Sequence, residues 1–264
     1  MPYVSRDVDI YYVDLGGAET DVTAESVFFC HGAGGNSTSW WQQVPEFSAS
    51  YRCLAHDHRG FGRSRCSGEH FRIAEFAGDV LAIMDAADVD AAHFVCQSMG
   101  GWTGVQMALN HPDRIKSLVL SDTIGGIALP SGLASIATMN ERAQQLGAIN
   151  PALAPDYHLK NPAGAFLYTE TSAFNGSFEE LGLFQKLFAE DALVPLERAA
   201  ELTLPVLICA GRHDIIWPPD VLHELSKHIH GARVVDIDSG HSPYFENPVA
   251  FNTALSEFLP AQGA

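Results

Sequence analysis

The pentapeptide Cys96-Gln97-Ser98-Met99-Gly100 joins an apolar run, His93-Phe94-Val95, to a helix-like stretch from Gly101 to Leu109. A tight strand-to-helix turn that carries a serine constrains a fold more than any composition does. Such a turn projects the hydroxyl at the top of a sheet, where a base can reach it and backbone N–H groups can receive an oxyanion. Ser98 is therefore a candidate nucleophile. On its own the small-x-Ser-x-Gly pattern is weak, because such pentapeptides arise by chance and a buried serine can simply hydrogen-bond locally. Its meaning depends on whether the rest of the chain supplies a sheet, a base and a second oxyanion donor.

The sheet is readable as apolar runs bounded by turns, at 9–13, 27–30, 51–56, 92–96, 115–120, 206–210 and 233–237. From the third run onward they alternate with helix-like segments at 71–87, 100–110, 219–230 and 248–258. This alternation predicts a mostly parallel sheet covered on both faces, with ligands beyond the carboxyl ends of the strands.

Three further segments fall at that edge. Val27 to Asn36 runs into a glycine-rich turn, His31-Gly32-Ala33-Gly34-Gly35, whose backbone can approach a reacting carbonyl closely. The expected oxyanion donors are the N–H groups of Ala33 and Met99. The run from Pro205 to Ala210 leads to Gly211-Arg212-His213-Asp214, which sets a carboxylate just past a strand end. The run from Val234 leads to Ser239-Gly240-His241-Ser242-Pro243. An imidazole suits the base that takes and returns the serine proton, and a carboxylate on its far nitrogen fixes the tautomer, which assigns these roles to His241 and Asp214. Asp122, in Leu120-Ser121-Asp122-Thr123, is the alternative acid; Asp238 reads as a loop cap.

Serine, then aspartate, then histidine is the triad order of the α/β-hydrolase fold superfamily, which the chain resembles over nearly its whole length. The residues that carry the resemblance are His31-Gly32-Ala33-Gly34, Asp57-His58-Arg59-Gly60-Phe61-Gly62-Arg63-Ser64, Gly211-Arg212-His213-Asp214 with Pro218-Pro219, and Gly240-His241-Ser242-Pro243. The departure is Cys96, where the family usually has glycine. The resemblance implies an α/β fold with helices on both faces of the sheet and a helical cap inserted after the sixth core strand. The core is then expected over 1–123 and 195–264, and the cap over 124–194, where the alternation gives way to Ala-, Leu-, Phe- and Met-rich helical patches punctuated by Pro130, Pro151, Pro155 and Pro162. The likeness is to esterases, enol-lactonases and meta-cleavage-product hydrolases, and implies a serine hydrolase of a small, fairly apolar ester, lactone or carbon–carbon diketone bond. A cofactor-free dioxygenase or peroxidase-like enzyme and a non-catalytic ligand receptor use the same fold and stay open. Haloalkane dehalogenase and epoxide hydrolase are disfavoured, since both need a carboxylate where this chain has Ser98.

For the pocket, Trp102, one of Trp40 and Trp41, His31 and Gly34 are candidate substrate-binding residues. The tryptophans can equally wedge helices against the sheet, and His31, His56 and His58 can orient loops. From the helical patches, Leu133, Ile136, Met139, Phe166, Leu167, Phe174, Phe178, Leu183 and Phe184 are candidates to line the chamber, a minority of them in fact doing so.

A chain of 264 residues with 47% hydrophobic content can bury one substantial core. The formal charge of −17 disfavours nucleic acid, anionic membranes and polyanionic substrates as partners. A small-molecule substrate is expected, with self-association into a homo-oligomer possible. Five cysteines, with no zinc spacing, read as reduced core thiols. The N-terminal residues lack the apolar stretch of a signal peptide, so a cytoplasmic location is expected, and no cofactor or metal is.

Overall fold

The computed structural model describes residues 2–16 and 25–260. Eight strands form one sheet: β1 (Tyr3–Ser5), β2 (Asp9–Leu15), β3 (Ser26–Cys30), β4 (Arg52–His56), β5 (Ala92–Gln97), β6 (Ile115–Ser121), β7 (Val206–Gly211) and β8 (Arg233–Ile237). Their order is β1-β2-β4-β3-β5-β6-β7-β8. β2 runs antiparallel to β1 and β4, and every other pairing is parallel. The sequence reading missed β1, three residues at the edge of the sheet with β2 as their sole neighbour. So short an element carries no alternation long enough to read.

The strand period of two sorts each strand's side chains onto two faces. Phe28, Phe94, Leu118 and Ile208 enter one core, while Phe29, Val95, Val119 and Leu207 enter the other. The first core takes in α1 (Phe76–Ala86), α2 (Gly100–Asn110) and, later in the chain, Pro219–Ser226. The second is shared with Pro248–Phe258. The stretch expected to be helical from residue 71 opens with a 3-10 turn, Ile73–Glu75, and the α-helix begins only at Phe76.

Between β6 and β7 the chain forms α3 (Pro130–Gln145), α4 (Pro162–Ala173) and single-turn helices at Tyr157–Lys160, Phe178–Leu181 and Leu183–Leu187. Pro130 and Pro162 open their helices, where a missing N–H costs nothing. The segment's two ends are tied together, since Ala128 N–H donates to Val194 O and Val194 N–H to Gly126 O, both at 2.8 Å. All five cysteines are free, and all but Cys66 are buried. Among the described residues no helix is long and apolar enough to cross a membrane.

Candidate active site

Ser98 follows β5 with φ of +47°, a left-handed conformation that strains any residue but glycine. The turn is held in that shape from all sides. Ser98 N–H donates to Ser121 O at 3.0 Å, while Ser98 O accepts from Thr123 Oγ1 at 2.7 Å and from Gly101 N–H at 2.8 Å. The departure at Cys96 has a steric account. A Cβ on Gly104 of α2 would lie 2.7 Å from Cys96 Sγ, so the helix gives up a side chain where the strand has gained a sulfur.

His241 and Asp214 follow β8 and β7. His241 Nδ1–H donates to Asp214 Oδ2 at 2.9 Å, and Asp214 Oδ1 accepts from the N–H groups of Ile216 (2.7 Å) and Trp217 (3.2 Å). Both side chains are buried. Asp122 lies beside them: one oxygen of each aspartate and one nitrogen of His241 lie within 4.8 Å of one another. Asp122 Oδ1 accepts from Gly211 N–H at 2.7 Å and Oδ2 from Ser121 Oγ at 3.0 Å. Burial, and after it the charge and hydrogen bond of Asp214, push the Asp122 carboxyl well above the usual carboxylate range, so it gives up its proton less readily than an exposed aspartate. This is the sole trio of possible metal ligands among the described residues, and hydrogen bonds to protein groups already account for its carboxylate oxygens.

The glycine-rich turn after β3 packs directly on the serine turn. A Cβ on Gly32 would fall 2.0 Å from Gln97 Oε1 and 2.8 Å from Ser98 Cβ, so only glycine allows the approach. Among the described residues no acceptor is bonded to the backbone N–H of Ala33 or of Met99. Behind the turn, His58 N–H donates to His31 Nε2 at 2.9 Å, which leaves the proton on Nδ1 to bond Gly32 O at 2.7 Å. Burial holds His31 neutral by lowering its pKa to about 4.

A cavity of about 270 Å³ opens over these elements, bordered by Ser98, His241, Ala33, Met99, Gly34 and Trp102. Its size is just below the ~300–1,000 Å³ common for small-ligand pockets. Two candidates for substrate contact fall outside it. Trp40 is fully buried between Phe29 and Tyr244, with ring centroids 5.2 and 4.8 Å away, and acts as a wedge between helix and sheet. His31 is buried against His58 and Phe61, so it shapes the turn and does not meet a ligand. Of the residues expected from the segment between β6 and β7, Ile136, Met139, Phe178 and Phe184 line the cavity. Leu133 and Leu183 pack on the core, and Phe166, Leu167 and Phe174 face solvent.

Residues 25–156, half of the chain, match the family model described as the alpha/beta hydrolase fold. The chain belongs to this family. It is 29% identical to a protein of Azorhizobium caulinodans named for carbamate hydrolysis, over 98% of each chain. To 3-oxoadipate enol-lactonase 2 of Acinetobacter baylyi it is 27% identical, over 97% of this chain and 94% of the relative. Among solved structures, an N-acyl homoserine lactone degrading enzyme superposes with a TM-score of 0.79 at 27% identity, covering 98% of this chain and 100% of the other.

Two positioning residues of this α/β-hydrolase had no readable signal. Gln97 Nε2 donates to His241 O at 2.9 Å, tying the serine turn to the histidine loop. Glu246 accepts from Ser242 N–H at 3.3 Å and from Ala154 N–H at 2.9 Å, tying the histidine loop to the segment between β6 and β7. Both are long-range bonds, and only Gln97's place beside Ser98 hinted at a role.

Proposed function

We propose that the protein is a serine hydrolase acting on a small ester, lactone or comparable carbonyl compound through Ser98, His241 and Asp214. His241 takes the Ser98 proton as the hydroxyl oxygen attacks the carbonyl carbon, and Asp214 stabilises the imidazolium that results. The negative charge moves to the carbonyl oxygen, which the N–H groups of Ala33 and Met99 receive, each contributing about 3 kcal/mol. His241 then returns the proton to the departing alcohol, leaving an acyl-Ser98 ester. Water, deprotonated by His241, attacks that ester and releases the acid and the free serine. The helical segment between β6 and β7 acts as a lid that keeps bulk water from the reacting groups.

The observation that carries this reading is that Ser98, His241 and the two unbonded amide donors border one cavity while Asp214 holds the far nitrogen of His241. The relatives named above are hydrolases, but their named substrates differ: a lactone of 3-oxoadipate keeps a free carboxylate and an N-acyl homoserine lactone has none. The test is hydrolysis of p-nitrophenyl pentanoate by the wild type and by Ser98→Ala. The variant is expected to lose activity by at least about 10⁴-fold, since removing the nucleophile removes the covalent route. Parental turnover in the variant would refute the assignment.

A further inference from the structure

The cavity bordering Ser98 is lined without a lysine, arginine, aspartate or glutamate. His241 is the one ionisable base among the residues around it, and the remainder are apolar, aromatic or uncharged polar, among them Trp102, Met139, Phe184 and Trp217. Cations of the segment between β6 and β7 and of the loop after β4 are bonded to other groups. The Arg142 guanidinium of α3 donates to Ile215 O and, at 3.2 Å, to Ser135 Oγ. Arg65 donates to Phe174 O, and Lys186 to Gly68 O and, at 3.1 Å, to Phe71 O. No lysine or arginine lies outside the described residues, because positions 1, 17–24 and 261–264 contain none. Behind His241, the Asp214 carboxylate adds negative potential, and the whole chain carries −17.

From this we infer that the substrate is an uncharged ester or lactone, and that the cavity turns away acyl groups ending in a carboxylate. The inference rests on the hydrolase reading above and narrows it. A carboxylate taken from water into such a lining would be desolvated with no cation to meet it, which is far more costly than burying the methyl group it replaces. A neutral acyl chain instead meets Trp102, Ile136, Met139 and Phe184. The uncharged polar groups at Asn150 and Ser172 leave room for a carbonyl or hydroxyl on the substrate but supply no counter-charge.

Two substrates of equal acyl length make the test: p-nitrophenyl pentanoate, ending in methyl, and mono-p-nitrophenyl glutarate, ending in carboxylate. At pH 8 the wild type is expected to favour the pentanoate by about a hundredfold or more in kcat/KM. Equal rates, or a preference for the glutarate, overturn the inference while leaving the hydrolase reading intact. Binding to Ser98→Ala separates the two the other way, since it needs no turnover. Trp102 and Trp217 border the cavity, so their fluorescence reports ligand entry. Ethyl pentanoate is expected to bind at least tenfold more tightly than monoethyl glutarate, and equal binding, or none by either ester, counts against a neutral-ligand chamber. The half-buried Met139 gives a third arm, in which Met139→Lys raises the relative rate on the glutarate ester about tenfold by supplying a cation. An unchanged ratio in a folded variant shows that something other than charge excludes the acid, and overturns the inference.

Discussion

Asp122 and Asp214 are the same residue type, one just past β6 and the other three residues past β7, both in the buried interior, and the protein gives them different partners. Asp214 receives two backbone N–H groups and the His241 ring, three donors that favour a charged carboxylate. Asp122 receives one backbone N–H and a serine hydroxyl, sits in the left-handed region at φ of +46°, and shares its surroundings with the charge of Asp214. Charge on one carboxylate disfavours charge on another this close in a buried site, so the poorer-served Asp122 holds its proton more tightly than an isolated acid would. A carboxylate's place at the end of a strand therefore does not decide its role. The donors around it do.

The largest test of that contrast removes the charge from Asp214. Asp214→Asn is expected to lower kcat/KM on a neutral ester by about 10³- to 10⁴-fold, because the amide can hold His241 in the wrong tautomer. In that variant Asp122 is the one carboxyl left within reach of His241, and freed from the charge of Asp214 it can ionise in part. The double variant Asp214→Asn/Asp122→Asn is therefore expected to fall a further ~10-fold, a coupling of the size seen between residues in contact. If the Asp214 change costs no more than a few-fold, the two acids have been given each other's roles.

Changing Asp122 alone has a smaller, two-part outcome. Asp122→Asn keeps the size of the side chain and removes a carboxyl whose ionisation burial and Asp214 already disfavour, so kcat/KM is expected to stay within about threefold and the acid limb of its pH profile to stay put. Asp122→Ala instead strands the Gly211 N–H and loosens the support of Asp214, with an expected loss of about 10- to 100-fold and a matching drop in stability of ~1–3 kcal/mol by denaturant unfolding. An Asn variant as damaged as the Ala variant shows that Asp122 works as a charge.

The sequence made the sheet edge legible and the partnerships across it only in part. Ser98, His241 and Asp214 stand in turn motifs with local signatures, and the strand runs carry their own period. Which acid pairs with His241 was a question of two candidates, since the discriminating donors, Ile216 N–H and Ser121 Oγ, have no local pattern. Trp40 and Trp102 looked alike beside their motifs, yet one is a wedge under Tyr244 and the other borders the cavity. The segment between β6 and β7 was the least readable, because an apolar residue on a short helix there serves the cavity, the core or neither. Phe184, Leu183 and Phe174 show all three outcomes within eleven residues of one another.

The smallest expected effect concerns a third acid, which extends the contrast from the sheet edge to the segment between β6 and β7. Glu246 joins the histidine loop to Ala154, and burial pushes its carboxyl up to about 7 despite the backbone N–H groups of Ala154, Gly240 and Ser242 that favour the charged form. The charge of Asp214 adds to the rise, and Lys160, Tyr157 and Tyr168 are the other titratable groups that feel Glu246. In the folded state the proton is held to about pH 7, whereas the unfolded chain releases it near the ordinary glutamate value of 4.5. The folded form is thus favoured by this group at low pH, and that contribution is lost as pH rises from the unfolded value through 7. Glu246→Gln cannot titrate. Its melting temperature, relative to wild type, is therefore expected to be higher at pH 8.5 than at pH 5.5, by a few degrees at the ~2–4 °C per kcal/mol typical of chains this large. Activity on a neutral ester should change by less than about threefold at pH 5.5, where wild-type Glu246 is mostly protonated and the glutamine oxygen can still accept one of the two N–H groups, that of Ala154 or of Ser242. A melting difference that stays constant across that range places the Glu246 proton with the ordinary carboxylates. Charge on this residue would then support the histidine loop instead of opposing it, and the rule drawn from Asp122, that a buried acid with insufficient donors holds its proton more tightly, would not reach the segment between β6 and β7.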